Sequence, residues 1–443
     1  MQPFQRYLIL AINFFILLIF SSIALAIPDF GPVDMGDFYA SLPDLNPNDK
    51  LGTIILGTII KFKKIKSNTK NVNAWLIAYV SSDVNNRKTL VTGLLVAPSG
   101  PAPSKGRPIV AWAHGTTGTA QNCGPSQVLN PAQPLNEYFL LTGNSYTDFG
   151  LPAMTAFLNA GYVIVATDYQ GLGGGGKHQY TVSVTQAQDV INAIRAATQV
   201  KEAKAGSKAI VYGWSQGGGA AITAAGLTNY LHAKDSVHDS IEIVGFIAMA
   251  PFDIAVTMPA KLANDADARK YLQSLGEQFS ENIFNFTHYA QNIWGTVAAF
   301  PDLKVEDVFT DQGAKIVKTI LERKCMHVAS SAFNYMVGDS YKSMLRSDLK
   351  HPLAWVEANK KGSVPPVKPM APVIIYFGSK DITVPPIMGK LYQDQMCKLG
   401  GNVMRVQLPG EQTHFSTPGS AETMYVKWVA DRFAGKAAQN GCL

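Results

Sequence analysis

The sequence predicts a wound α/β fold with a mostly parallel central sheet, flanked by helices and interrupted by a helical insertion; three observations predict it. Short, almost continuous apolar runs recur at 108–113, 162–166, 208–212, 243–249 and 373–377. Strands buried on both faces of a parallel sheet carry such runs, because neither face meets water. Helical patterns alternate with them: Val184, Ala187, Val190, Ile191 and Ile194 follow a 3.6-residue period, and another candidate helix starts just after Ser215. The alternation then breaks between residues 252 and 364, where the pattern is helical and no run resembles a buried strand.

Taken from the N-terminus, Arg6 precedes an apolar run over 7–20, followed by Ser21-Ser22-Ile23-Ala24-Leu25-Ala26. A positive start, an apolar stretch and a small-x-small end predict a signal peptide over residues 1–26, hence an exported protein, secreted or periplasmic. The run falls short of the roughly 20 residues a spanning helix needs, which favours cleavage over anchoring. Residues 27–49, rich in Pro and Asp, read as an extended arm packed on the body. Residues 61–66 alternate Lys with apolar residues, as a half-exposed strand does. Runs at 73–80 and 89–97, separated by the turn-forming 81–86, predict a β-hairpin.

The sheet domain is therefore expected in two parts, 27–251 and 365–443, around an inserted helical cap over 252–364. Tyr271, Leu272, Leu275, Phe279, Ile283 and Phe284 are its candidate core positions, and residues 360–372, rich in Pro, Lys and Gly, read as the link back to the sheet.

The bulk composition bounds the function. A chain of 443 residues with 47% hydrophobic and 16% charged residues buries a large core and is not a disordered segment. A formal charge of +6 is mild at this length, and no run of Lys and Arg interleaves with aromatics, so no nucleic-acid partner is expected. The four cysteines, Cys123, Cys325, Cys397 and Cys442, allow three pairings in an oxidising compartment; the preferred one joins Cys123 to Cys325 and Cys397 to Cys442. None lies in a Cys-x-x-Cys pair, and there is no His-Glu-x-x-His, so no metal is expected.

The chemistry concentrates in one motif and its partners. Gly213-Trp214-Ser215-Gln216-Gly217 directly follows the apolar run ending at Tyr212 and directly precedes a helix of small residues. That strand–elbow–helix setting presents a serine on a sharp turn at the end of a sheet. Serine needs a base to take its proton, and the base needs an orienting acid. On such a sheet the order along the chain is Ser, acid, His. Asp381 is the carboxylate of 378–385, just past the run 373–377, and His414 lies past the strand-like 402–408, the one histidine downstream of that acid. Glu411 and Asp394 are the alternative acids. His232, His238, His288, His327 and His351 read as surface or packing histidines.

Acyl transfer also needs N–H donors for an oxyanion. Gln216, next to the serine, offers one from its backbone. The loop His114-Gly115-Thr116-Thr117-Gly118 after an early strand offers the other, assigned to Thr116 with Thr117 as the alternative, while His114 shapes the loop. The glycine-rich stretch 168–176 matches no phosphate-binding fingerprint and reads as a flexible loop bordering the substrate cleft.

These motifs, with Cys123-Gly124-Pro125-Ser126, Asp168-Tyr169-Gln170-Gly171-Leu172-Gly173, Gly378-Ser379-Lys380-Asp381, Gln395-Met396-Cys397 and Thr413-His414, resemble the secretory lipase family of α/β-hydrolases, in order over most of the chain. The resemblance implies the α/β-hydrolase fold with a helical cap, or lid, covering the acyl site. It also implies an ester hydrolase acting on acylglycerols or other fatty esters, a lipid-interface contact through the cap, and no cofactor. Residues 252–364 offer no family motif, so the resemblance leaves acyl length open. An acyltransferase or a thioesterase would keep the same triad, whereas a catalytically silent binding protein would be expected to lose one of its members.

Overall fold

The computed structural model describes residues 36–43, 54–128, 130–135, 150–237, 240–259, 262 and 264–442. The signal peptide expected over 1–26 lies outside the described residues. Of the arm expected to be extended, Gly36–Ala40 forms a helix instead. A helical turn lets Phe38 enter the core with no exposure while Tyr39 reaches Ser126, hydroxyl to hydroxyl, at 2.6 Å.

Among the described residues, nine strands form one sheet: β1 (Ile59–Ile65), β2 (Val72–Ser82), β3 (Lys88–Pro98), β4 (Arg107–Ala113), β5 (Val163–Thr167), β6 (Ala205–Trp214), β7 (Glu242–Met249), β8 (Val373–Phe377) and β9 (Val403–Gln407), in the order β1-β2-β3-β5-β4-β6-β7-β8-β9. The first three strands form an antiparallel meander that meets β5 antiparallel; from β5 to β9 every pairing is parallel. The continuous apolar runs are the parallel strands. Val110, Ile164, Ile210 and Ile247 are fully buried, each contributing roughly 1.5–3 kcal/mol by leaving water. Helices Ser183–Ala197 and Gln216–Ala224 pack on the sheet.

Between β7 and β8 come helices Asp265–Phe279, Ile283–Ala299, Asp311–Leu321, Met326–Val337 and Pro352–Gly362. They close over a second apolar core that includes Leu272, Phe286, Phe309, Val317 and Trp355. Of the candidate core positions Leu272 and Leu275 are buried, while Tyr271, Phe279, Ile283 and Phe284 are half-buried. Side-chain caps start three of these helices: Asn264 accepts from the Asp267 N–H, Asn282 from Asn285 and Thr310 from Gly313. The link to β8 begins later than residue 360. Lys360 and Lys361 close the last turn of Pro352–Gly362, where cations complement the carbonyl end of a helix.

One carboxylate clasps both ends of this helical stretch. Asp253 Oδ2 accepts from the backbone N–H of Val364 at 3.0 Å, and Oδ1 accepts from Ala255 at 3.0 Å and Val256 at 3.3 Å. Disulfides join Cys123 to Cys325 and Cys397 to Cys442, with Cα separations of 5.4 and 5.3 Å. The first ties the loop after β4 to the start of helix Met326–Val337.

Candidate active site

The parallel strands deliver their C-terminal ends to one edge of the sheet, where this architecture assembles its sites. His114 follows β4, Ser215 follows β6, Asp381 lies beyond β8 and His414 beyond β9.

Ser215 sits on a strained turn, with φ +58° and ψ −119°. Left-handed φ is disfavoured for any residue with a β-carbon, so the surroundings must hold it. Its N–H donates to the Met249 carbonyl at 2.9 Å, and its own carbonyl accepts from Gly219 at 3.0 Å and Phe252 at 3.1 Å. The flanking glycines are required by contact: a β-carbon at Gly213 would stand 2.1 Å from the Gly217 carbonyl oxygen.

The three residues picked from the sequence meet. Oγ of Ser215 lies 2.8 Å from Nε2 of His414, and Nδ1 of His414 lies 2.8 Å from Oδ2 of Asp381. A carboxylate only accepts, so Nδ1 carries the proton and Nε2 is left to accept from the serine hydroxyl. The other carboxylate oxygen, Oδ1, accepts from the backbone N–H groups of Thr383 at 3.0 Å and Val384 at 2.8 Å, which fixes the plane of the acid. Trp214 donates from Nε1 to the His414 carbonyl at 3.1 Å and lays its ring 4.9 Å from the imidazole. All three residues are buried. The alternative acids lie elsewhere: Glu411 pairs with Lys380 and Asp394 with Lys390, both at the surface.

Gln216 opens helix Gln216–Ala224, so its N–H belongs to the first turn, where donors lack helical partners. Thr116 is buried in the loop after β4, its Oγ1 2.7 Å from the hydroxyl of Tyr180. The Thr117 carbonyl is occupied by the Met326 N–H at 2.9 Å. His114 faces the carbonyls of Gly115 at 2.5 Å and Asp168 at 3.2 Å, and burial lowers its pKa to about 4. A neutral ring that braces a loop fits that setting.

The glycine-rich loop differs from its expected place. Gly173 and Gly175 donate to Oε1 of Gln121, Gly174 packs against the Leu90 carbonyl, and the residues lining the cavity at Ser215 include none of 168–176. Asp168 at its start is buried, accepting from Thr92 Oγ1 at 2.7 Å and from the Ser126 N–H at 2.8 Å; desolvation raises its pKa to about 6. It secures loops rather than bordering a cleft.

The cavity at Ser215 is walled instead by Tyr180, Phe252, Phe279, His288, Tyr289 and Val384. His288 lines this cavity, whereas its sequence context suggests a surface or packing histidine. With Asn285, Tyr289 and Asn292 it forms one face of helix Ile283–Ala299, and that i, i+3, i+4, i+7 spacing is the signal that would have found it.

Comparison with known proteins agrees with this architecture. The model of the "Secretory lipase" family matches residues 142–247. "Lipase 5" of Candida albicans is 24% identical over 381 residues, covering 84% of this chain and 74% of that one. A "Secreted triacylglycerol lipase" of Malassezia globosa, LIP2, is 23% identical over 423 residues, covering 93% and 84%. Among solved structures, Candida antarctica lipase A superposes with TM-score 0.68 at 17% identity, covering 94% of this chain and 89% of that one. The rice cell wall degrading esterase LipA of Xanthomonas oryzae superposes with TM-score 0.63 at 18% identity, covering 86% and 99%. At such identities the structural likeness speaks for the fold, and the sequence matches speak for the class. The chain is a carboxylic ester hydrolase built on the α/β-hydrolase fold, similar to secretory lipases over residues 142–247.

Proposed function

We propose that the protein is an exported lipase or esterase that cleaves fatty acyl esters, acylglycerols among them, through an acyl-enzyme on Ser215. The observation that carries this is the unbroken hydrogen-bond relay from Ser215 through His414 to Asp381, at the mouth of a largely apolar cavity.

His414 takes the serine proton through Nε2 as Oγ attacks the ester carbonyl, and Asp381 holds the tautomer and steadies the imidazolium. The backbone N–H groups of Gln216 and Thr116 hold the oxyanion. His414 then gives the proton to the leaving alcohol, and a water, activated by the same ring, releases the acid. Residues 252–364 act as the cap over the acyl site and offer the lipid-interface contact, on a hydrolase core of 27–251 and 365–443. Cleavage of residues 1–26 on export is consistent with the two disulfides, which form in oxidising compartments.

The test is the initial rate on p-nitrophenyl esters from acetate to palmitate, wild type beside Ser215→Ala. Turnover that vanishes in the variant supports the mechanism, and the chain length at the peak sets lipase apart from short-chain esterase. A Ser215→Ala protein retaining most of the turnover overturns it.

A further inference from the structure

The segment from His178 to Thr181 touches both expected oxyanion donors. Gln216 donates from Nε2 to Nε2 of His178 at 3.2 Å, and His178 donates from Nδ1 to the Gln170 carbonyl at 2.7 Å. The carbonyl only accepts, so Nδ1 carries the ring proton and Nε2 is free to receive the amide. Burial keeps this ring neutral, its pKa lowered to about 3. Further along the segment, Tyr180 sets its hydroxyl 2.7 Å from Thr116 Oγ1 and its ring in the cavity beside Ser215.

The cap holds this segment in turn. A β-carbon on Gly295 would stand 2.3 Å from both N and O of Tyr180, so helix Ile283–Ala299 lies directly on the segment's backbone. On the same helix, Asn292 donates from Nδ2 to Thr181 Oγ1 at 2.6 Å. Thr181 has φ +57°, a conformation a β-branched residue keeps only when its neighbours impose it.

We infer that Tyr180 and His178 are positioning residues: they fix Thr116 and Gln216, the two halves of the oxyanion site, and the cap helix fixes them through Gly295 and Asn292. The inference rests on the oxyanion reading of Thr116 and Gln216 proposed above. Its physical basis is that preorganised donors lose their effect when displaced by a fraction of an ångström or left to turn. The cap then contributes to the chemical step as well as covering the site.

Tyr180→Phe is the direct test, since it removes the hydroxyl and keeps the ring that lines the cavity. It should lower kcat on p-nitrophenyl butyrate by about 10–100-fold with KM held within about twofold, the signature of a contact that counts in the transition state. Binding of phenylboronic acid, whose tetrahedral adduct on Ser215 places an oxygen in the oxyanion site, should weaken by a similar factor. Thr116→Val should reproduce both losses, and adding Tyr180→Phe to it should cost nothing further, because the two changes remove one interaction. Asn292→Ala, made from the cap side, should give a smaller kcat loss with KM unchanged. It and Thr116→Val carry the test if Tyr180→Phe does not fold. Wild-type kcat and boronate binding in these variants, or fully additive losses in the double variant, would overturn the inference. A wild-type enzyme that binds no boronate and keeps its turnover as Ser215→Ala would instead overturn the oxyanion reading beneath it.

Discussion

Gly217 approaches Ala113 so closely that a β-carbon on it would stand 1.9 Å from the Ala113 carbonyl oxygen. The helix that begins after Ser215 is thus pressed onto the end of β4, and the serine elbow and the His114 loop share one contact. Because the obstacle is backbone, no rotamer change relieves it. Gly217→Ala should cost about 3 kcal/mol or more of stability, the upper end for overpacking, and should displace Ser215 enough to suppress turnover. Urea denaturation read beside the esterase rate checks both; a variant with wild-type midpoint and rate would show the elbow to be more yielding than this contact implies.

Asp381 rather than a neighbouring acid should orient His414. Its Oδ1 is occupied by two backbone donors, so only Oδ2 serves the imidazole. Asp381→Asn would present an amide where the ring needs an acceptor and favour the wrong tautomer, so kcat should fall by about 10⁴-fold, as in other triads. Glu411→Gln and Asp394→Asn alter exposed residues paired with Lys380 and Lys390 and should leave the rate within about threefold, since exposed pairs are weak. Steady-state rates on one p-nitrophenyl ester decide between them.

The parts of the site legible in the sequence are those where one local feature dictates the geometry. The elbow announces Ser215 because the glycine at 213 answers a steric contact with Gly217, and the glycine at 217 one with the end of β4. Asp381 and His414 are found from the strands that precede them, and parallel strands are recognisable because burial on both faces leaves an unbroken apolar run. Residues 178–181 offer no such feature. Their conformation is imposed by Gly295 and Asn292, distant in sequence, and Thr181 keeps a positive φ that its own type disfavours. The turn Gly36–Ala40 is illegible for a similar reason: its helix serves Phe38 and Tyr39, whose partners lie far along the chain.

The two disulfides should contribute unequally. Cys123–Cys325 closes a sequence separation of 202 residues and Cys397–Cys442 one of 45. If the cross-links act by restricting the unfolded chain, the longer loop contributes more, by about 1 kcal/mol on top of the ~2–4 kcal/mol typical of either. The first bridge also joins the loop carrying Thr116 to the helical region, through Cys325 at the start of helix Met326–Val337. Cys123→Ala/Cys325→Ala should therefore lower the denaturation midpoint further than Cys397→Ala/Cys442→Ala and be the one that also slows turnover. Equal midpoints and equal rates would remove the distinction.

Asp189 should make stability fall as the solution becomes alkaline. It is fully buried on helix Ser183–Ala197, where its Oδ2 accepts from the Gln170 N–H at 2.9 Å. Desolvation raises its pKa from 3.8 to about 8, against smaller lowering by Ser81 and the Gln170 N–H. The folded state therefore holds this proton over a pH range in which the unfolded chain has released it. The stability that the neutral acid contributes is fully present below about pH 4, declines by up to ~1.4 kcal/mol per pH unit as the pH rises, and is lost by the time pH passes about 8. Asp189→Asn has no proton to lose. Its stability relative to wild type should improve steadily from pH 4 to 8 and level off above, whatever other groups titrate in common to both proteins. Unfolding free energies measured in urea across that range test the sign directly: a difference that stays flat with pH would mean that Asp189 ionises alike in the folded and unfolded chains.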